Sequence, residues 1–403
     1  MKFNIWKDYP NKPLPEVLSF IVDNRGKTVP TDPNGKYTLI ATNCIRNENL
    51  YPTHEKIRTL NERTYREWFR AHPEPNDIIF VNKGTPGRVC LVPNPVNFCI
   101  AQDMIALRAN PKIIYYKYLF AVLRSSKIQN QIKSTTVGDV IPHFKKHQLK
   151  ELNIPIPPMN IQKTIGDYYF MFCEKEECNK KINKNLEAQA QAYFIDQFVV
   201  NADPTWPRGT LSDFGTVVGG GTPSKKHPEY YCEHGIPWIT PKDLSVDKSK
   251  FISHGENDIS DLGFSNSSAT KMPEGTILFS SRAPIGYIAI ASNTVTTNQG
   301  FKSVIPNTNV GTAFVYYFLK RALPTIEGMA SGSTFKEISG SGMKSVPAVI
   351  PDNETLHKFS EFCKPLFKQQ AVLEAENRRL SGIRDALLPK LMSGEIDVSN
   401  IDL

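Results

Sequence analysis

The sequence predicts an α+β chain in which one half repeats the other, each half being a strand-rich globular block followed by a long helix. Three observations carry this. Matched segments recur in order along the chain at separations between 194 and 200 residues. Short β-type runs punctuated by Gly and Pro fill residues 1–157 and 202–351. Two stretches, 158–201 and 352–403, read as long helices with spaced apolar side chains.

The repeat pairs Trp6 with Trp206, Leu14-Pro15-Glu16 with Leu211-Ser212-Asp213, and Tyr37–Ile40 with Ile236–Ile239. It pairs Pro75–Phe80 with Pro273–Leu278, and Thr85-Pro86-Gly87 with Ala283–Gly286 after one insertion. Gln102 falls on Gln299, Tyr118-Leu119 on Tyr317-Phe318, Thr136 on Thr334, and Ile156-Pro157 on Ile350-Pro351. Any one match is weak, but their common order is not.

In the first block the apolar runs predict strands at Phe20–Val22, Tyr37–Ala41, Ile78–Val81, Val89–Val92, Ile105–Leu107 and Ile154–Ile156. Helical spacing predicts helices at Glu62–Ala71 and Ile114–Gln131. Pro157-Pro158 closes the block, and Asn160 is placed to cap a helix running to about Val200. The second block, Ala202–Pro351, repeats this plan. Asp352 caps a helix that continues to about Ser393, with Gly394 as its stop.

The central helix carries Ile165, Tyr168, Phe172, Asn179, Ile182, Leu186 and Tyr193 at 3-4 spacing. The C-terminal helix carries Phe359, Phe362, Leu366, Leu373, Leu380, Ile383 and Leu387. Such ladders want a partner helix, and two in one chain can satisfy each other. The other reading is two separate surface helices, one per block.

Composition bounds the class. The 403 residues suggest two or three domains. With 40% hydrophobic and 22% charged residues the chain reads as soluble and globular. Net charge is +8, and the surplus sits in residues 1–157, with 23 basic and 13 acidic side chains. That block can attract a phosphate backbone. The second block is nearly balanced, so any nucleic-acid contact there must come from a local patch. Seven cysteines without a C-x-x-C pair argue against a disulfide framework or zinc ribbon and for a reducing cytoplasm. The start of the chain lacks a basic-then-apolar signal pattern. Ala283–Phe301, the longest uncharged apolar-rich stretch, is interrupted by polar residues and reads as strands and a turn, not a membrane span.

Catalytic patterns are missing. Gly219–Lys226 has the glycines of a phosphate loop but no Gly-Lys-Ser/Thr. It is either a flexible loop offering amides and two lysines to an anion or a plain surface turn. No N/D-P-P-Y/F element, Glu-x-Lys or H-E-x-x-H occurs, and His143/His147 lacks a third ligand, so it reads as a solvated basic segment. No metal, cofactor or intrinsic catalysis is expected.

Binding features are better marked. The turn Asn82–Arg88 supplies Lys83, Thr85 and Arg88, and its counterpart Ser280–Gly286 supplies Ser281 and Arg282. Tight turns of this composition let backbone approach a ligand while a cation reaches phosphate or a guanine edge. Thr135-Thr136 and Ser331–Thr334, followed by Lys145-Lys146 and Lys336, form a second equivalent pair. Hydrophilic hairpins are the alternative for each.

These segments resemble the DNA-specificity subunit of type I restriction–modification systems. The motifs that carry the resemblance are Gly220–Ser224, Ile236–Ile239, Gly275–Phe279, Asn298–Phe301, Gly332–Thr334, Val349–Pro351 and, most specifically, Arg384–Ile396. The resemblance covers the full length. The first half departs from it, with Arg25–Pro30 in place of the Gly-rich loop and Gln102-Asp103-Met104 in place of Gln-Gly-Phe. Its base preference should therefore differ.

The resemblance implies that residues 1–157 and 202–351 are target-recognition domains, each reading half of a split double-stranded DNA site. The helices 158–201 and 352–403 would pack antiparallel as a coiled coil and act as a spacer. The implied DNA-binding residues in the first half are Arg25, Lys27, Arg46, Lys83, Thr85, Arg88, Lys133, Thr136, Lys145 and Lys146. In the second they are Thr222, Ser224, Lys225, Lys226, Thr240, Lys242, Ser281, Arg282, Asn298, Gln299, Ser333, Thr334 and Lys336. Implied partners are two methyltransferase subunits, which carry S-adenosylmethionine, and translocase–endonuclease restriction subunits. The chain itself would catalyse nothing and work in the cytoplasm. A recognition subunit of a related system cutting on both sides of its site, a stand-alone helix-mediated interaction protein and a cryptic enzyme stay open as alternatives.

Overall fold

A computed structural model describes residues 4–24, 26–136, 141–332 and 336–396. Its contacts divide the chain into two compact units, residues 1–179 with 376–403, and residues 180–375. The candidate site residues Arg25, Ser333 and Thr334 lie outside the described residues.

The first unit is built on a four-stranded antiparallel sheet in the order Leu18–Val22, Met104–Ala109, Ile78–Val81, Val89–Leu91. Strand alternation sorts its side chains into two cores. Ile78, Phe80, Leu91, Ile105 and Leu107 pack toward Tyr118 and Phe120 of the helix Tyr116–Arg124. Ile79, Val81, Cys90, Met104 and Ala106 pack the other way, toward Ile40, Phe98 and Ile100. Burial on both faces explains why these strands read as unbroken apolar runs. A three-stranded sheet, Arg58–Leu60, Tyr37–Leu39, Phe98–Cys99, has its last pair parallel. A two-stranded clamp, Asn11–Pro13 with Asn153–Pro155, joins the start of the block to its end.

The second unit repeats the topology. Its main sheet runs Gly215–Gly219, Lys302–Pro306, Ile277–Ser281, Ile285–Ala291, with one added strand, Phe251–Ile252, parallel to the last. Its smaller sheet again contains a parallel pair, Ile236–Ile239 with Thr296–Thr297. The clamp is Arg208–Thr210 with Pro347–Val349. Ala283–Phe301 contains the strands Ile285–Ala291 and Thr296–Thr297, and no helix among the described residues is long and apolar enough to cross a membrane.

Local chemistry corrects several expectations. The helix expected at Ile114–Gln131 is two helices, Tyr116–Arg124 and Ser126–Thr135, because Ser125 takes an extended conformation and its hydroxyl accepts from the Ile128 amide. Glu62–Glu67 is shorter than expected and is capped by Asn61. The central helix begins at Met159, so Asn160 lies inside its first turn and is not its cap; there its carbonyl accepts from the Thr164 hydroxyl. That helix ends at Ile195 and continues as a π-helical turn, Asp196–Val200. Asp352 does cap the C-terminal helix, Asn353–Ser393, accepting from the Thr355 amide at 2.9 Å, and Gly394 follows with φ +69°. The repeat also shifts near its start. Pro10 and Pro207 accept the equivalent amides of Ile156 and Ile350, so Trp206 stands where Tyr9 stands, not where Trp6 does.

Both units contain an antiparallel segment of the two long helices. In the first, Glu176 faces Arg384 at 2.8 Å and Asn179 faces Asn377 at 2.9 Å. In the second, the Gln370 amide donates to the Asn183 carbonyl at 3.2 Å, and Phe194 meets Phe359 at 5.8 Å between ring centres. The reading as two separate surface helices is thereby set aside. The buried face keeps part of the expected ladder, Ile165, Asn179, Phe359 and Leu373, and departs from the rest: Ile182, Phe362 and Ile383 are each 40% exposed, while Tyr169, Cys173, Glu176, Cys363, Phe367, Gln370 and Arg384 are buried.

Candidate nucleic-acid interface

In the second unit, loops from four strand ends converge. The Gly-rich loop follows Gly215–Gly219. Gly220 lies so close to the carbonyls of Thr297 and Asn298 that any Cβ would clash, which fixes glycine there. The Gly221 amide donates to the Thr297 carbonyl at 2.9 Å, and the Trp238 indole donates to the Gly221 carbonyl at 2.9 Å. Thr240 ends the strand Ile236–Ile239 and caps the short helix Pro241–Val246, its hydroxyl donating to Asp243 at 2.7 Å. Asp243 in turn accepts the Glu256 amide at 2.9 Å. Asn298 folds back on its own loop, accepting from the Gly300 amide at 2.8 Å.

Together these loops wall a cleft of about 510 Å³. Seven expected site residues line it: Thr222, Lys225, Thr240, Lys242, Arg282, Asn298 and Gln299. Their sequence separations reach 77 residues, so only the fold brings them together. The Thr222 hydroxyl is hydrogen-bonded to the Gln299 side-chain carbonyl. Lys242 is paired with Glu256 at 2.6 Å, and that hydrogen bond raises its pKa. Arg282 lies 3.5 Å from Glu337, which also holds Lys302 at 3.6 Å.

The remaining expected residues of this unit fall beside the cleft. Ser224 and Lys226 are exposed on the Gly-rich loop, and Lys336 is exposed one residue before Glu337. Ser281 is a correction: it is fully buried and its hydroxyl donates to the Gly300 carbonyl at 3.1 Å, so it holds two loops together and offers nothing to a ligand. Sequence reasoning missed Glu256 and Asn257 in the lining. They reach it because Asn257–Ile259 pairs with Ile236–Trp238, a register no local signal marks.

The first unit places the equivalent loops on the equivalent strand ends. Gln102 donates to the Thr28 hydroxyl at 3.4 Å, the counterpart of the Gln299–Thr222 contact. Both residues were missed as site candidates, although the repeat aligns Gln102 with Gln299 and Thr28 lies in the segment that stands in place of the Gly-rich loop carrying Thr222. Buried Asn24 anchors their loop, donating to the Ala71 and Ile100 carbonyls at 2.8 and 3.2 Å. Lys27 is exposed on that loop. Lys146 reaches Asp23 at 3.0 Å, which ties the segment carrying Lys145 and Lys146 beside it.

The turn carrying Lys83, Thr85 and Arg88 lies along the same segment, with the Gly84 amide donating to Pro142 and the Phe144 amide to Asn82. Lys83 is half exposed, 3.9 Å from Asp103. Gln129 pins the turn from behind through the Gly87 carbonyl at 2.8 Å. Lys133 is exposed on the helix Ser126–Thr135, while the Thr136 hydroxyl is engaged with the Ile132 carbonyl at 2.7 Å. Arg46 is paired with Glu55 at 2.6 Å on a separate loop.

These sites offer amide, hydroxyl and carboxylate groups beside exposed cations, in the second unit around a cleft. Such a set can hydrogen-bond base edges while the cations hold phosphates. Among the described residues no group of three His, Cys, Asp or Glu side chains is arranged to hold a metal ion, and all seven cysteines are free thiols.

Comparison with known proteins bears on this arrangement. The family described as type I restriction modification DNA specificity domain matches twice, over residues 7–188 and 204–381. The type I restriction enzyme MjaIX specificity subunit of Methanocaldococcus jannaschii is 40% identical over 178 residues, 42% of this chain and 41% of that protein. The chain thus spans less than half the length of that relative. The type I restriction enzyme HindI specificity subunit of Haemophilus influenzae is 24% identical over 389 residues, 77% of this chain and 84% of that protein. In three dimensions the chain is similar to the crystal structure of a type I restriction-modification system S subunit from M. genitalium. The TM-score is 0.61 and the identity 18%, over 96% of this chain and 98% of that one.

Proposed function

The chain belongs to the type I restriction modification DNA specificity domain family, and from that premise we propose that it is the sequence-reading subunit of such a system. Each strand-rich domain reads one half of a bipartite double-stranded DNA site through its loops. The candidate DNA contacts are the cations Lys27, Lys83, Arg88, Lys145, Lys225, Lys242 and Arg282, with Gln102 and Gln299 among the groups facing base edges. The antiparallel helices set the distance between half-sites. Two methyltransferase subunits and the restriction subunits assemble on the chain, which supplies the address and no chemistry of its own.

The observation that carries this reading is the duplicated loop architecture. Equivalent loops sit on equivalent strand ends in both domains, each closed by a Thr–Gln hydrogen bond, donated by Gln102 in the first and by Thr222 in the second. A protein reading one continuous site has no need of two such sets.

The test is to insert one helical turn into both long helices and sequence the methylome of cells carrying the variant with its methyltransferase. Four residues add about 6 Å of helix, close to two base pairs at ~3.4 Å each. Both half-sites should keep their bases while the gap between them lengthens. Altered bases with an unchanged gap would overturn the spacer role, and no sequence-specific methylation in cells carrying the unmodified chain with its methyltransferase would overturn the whole reading.

A further inference from the structure

The two units differ in one place that their repeat predicts should be the same. In the first unit, the residues before the clamp strand fill a hollow. Ile5 is fully buried and its amide donates to the Met392 carbonyl at 3.1 Å. Trp6 packs on the same core, with the Lys127 ammonium 4.3 Å from its ring centre. The register that sets Tyr9 against Trp206 sets Ile5 against Ala202 and Trp6 against Asp203. In the second unit, therefore, the two bulky side chains are replaced by a methyl group and a carboxylate.

What remains there is an open groove of about 680 Å³. Its wall is aromatic, with Phe198, Trp206, Phe314 and Phe318, and Arg208 and Arg321 border it. The Phe198 and Phe314 rings meet at 4.8 Å, so the wall is already assembled. Neither guanidinium has an acidic partner among the described residues, and both arginines are exposed. The nearby carboxylates are engaged elsewhere: Asp203 accepts from Thr205 at 2.8 Å, and Asp352 from Thr355 and from the Trp206 indole.

We propose that this groove seats a segment of one methyltransferase subunit, a segment with large apolar side chains flanked by carboxylates. The inference rests on the functional reading above. The first unit gives the apolar part of the occupant, because Ile and Trp side chains complete the same surface there. The two unpaired arginines give the acidic part, since carboxylates beside an aromatic floor suit guanidinium groups best. The first unit's hollow is already filled, so there is one seat per chain. Only one of the two methyltransferase copies uses it, and the two copies are held unequally.

The test mixes the full chain with its purified methyltransferase subunit and reads stoichiometry against concentration by analytical ultracentrifugation. Arg321→Glu reverses a border charge, and Ala322→Trp fills the groove from its wall. In both variants the second methyltransferase copy should bind at least tenfold more weakly while the first is held as before. DNA affinity of the chain alone should stay within twofold, which also checks that the variants fold. Retention of two equally held copies by both variants would overturn the proposal. So would a self-associating chain that loses its self-association, and not its methyltransferase, in these variants. Failure of the unaltered chain to bind any methyltransferase would overturn the functional reading and this inference together.

Discussion

The same two helices are joined by different chemistry in the two units. In the first, the seam is polar. Glu176 and Arg384 form a two-pronged ion pair at 2.8 and 3.0 Å with side chains only 7% exposed, and Asn179 donates to both Glu376 and Asn377. In the second, the seam is mainly aromatic, with one polar contact from Gln370 to Asn183: Tyr193, Phe194 and Phe198 pack around Phe359 at 5.2 to 5.8 Å, with Phe367 alongside. Apolar contact adheres but tolerates sliding, whereas a buried ion pair contributes little net stability and penalises every register that breaks it. The comparison teaches a division of labour: the aromatic segment holds the helices together and the polar segment fixes where they stop.

The largest effect should come from the aromatic side. Phe359→Ala removes a fully buried ring and should cost about 4 kcal/mol, measured by urea unfolding. A loss below about 1 kcal/mol would mean the aromatic segment is not the adhesive one. Arg384→Ala should cost about 3 kcal/mol, because it leaves the Glu176 carboxylate buried without its cation. The double variant Glu176→Leu/Arg384→Met should regain most of that stability yet lose the fixed register. Spin labels at the exposed positions 178 and 379 would then report a broadened distance distribution. A sharp distribution in the double variant would remove the polar segment's role.

The seam shows where the sequence was legible and where it stopped. Helix existence, the Asp352 cap and the Gly394 stop follow from local rules, and they hold. The strand runs hold because strands buried on both faces are apolar without interruption. The buried face of the helices was legible only in part, because a periodicity search counts apolar residues, and here Glu176, Gln370 and Arg384 also occupy inward positions. What makes them inward is a partner about 200 residues away, which no local window contains. The cleft follows the same logic. Lysines on Gly-rich turns are visible in the sequence, whereas Glu256 and Asn257 need the strand register, and Ser281 looked available only because its partner carbonyl at Gly300 is remote.

A smaller effect separates the two segments by pH. In the second unit the Glu187 carboxylate meets Lys250 at 2.7 Å and Lys320 at 2.7 Å. Burial alone would raise its pKa, but the two ammonium groups overcome this and hold it at about 2. Burial prevails at Lys250, whose ammonium meets Glu187 and lies 3.5 Å from the Phe367 ring centre while its backbone amide donates to Glu374, and lowers its pKa to about 8. For Glu187 the folded pKa lies below the unfolded one. Its contribution is therefore complete above pH 4.5 and is lost as pH falls toward 2. Glu187→Gln should remove on the order of 2 kcal/mol at pH 7 and flatten that part of the acid limb in thermal melts. An unchanged acid limb would place the titrating group elsewhere.

The smallest effect concerns the site loops, where the domains differ in charge. The first block carries ten more basic than acidic side chains and the second only one more. Lys83 has a single weak neighbour, Asp103 at 3.9 Å, and so is nearly free to meet a phosphate. Arg282 shares Glu337 with Lys302, so part of its charge is already answered. Lys83→Ala should weaken binding to the first half-site uniformly across base changes and lower the salt-dependence slope by about 1. Arg282→Ala should do less at the second half-site, and Glu337→Gln should strengthen binding there by freeing both cations. If Glu337→Gln weakened binding instead, Glu337 would be contacting the DNA itself, as an acceptor for a base amino group. The second domain would then read its half-site through a carboxylate where the first relies on positive charge.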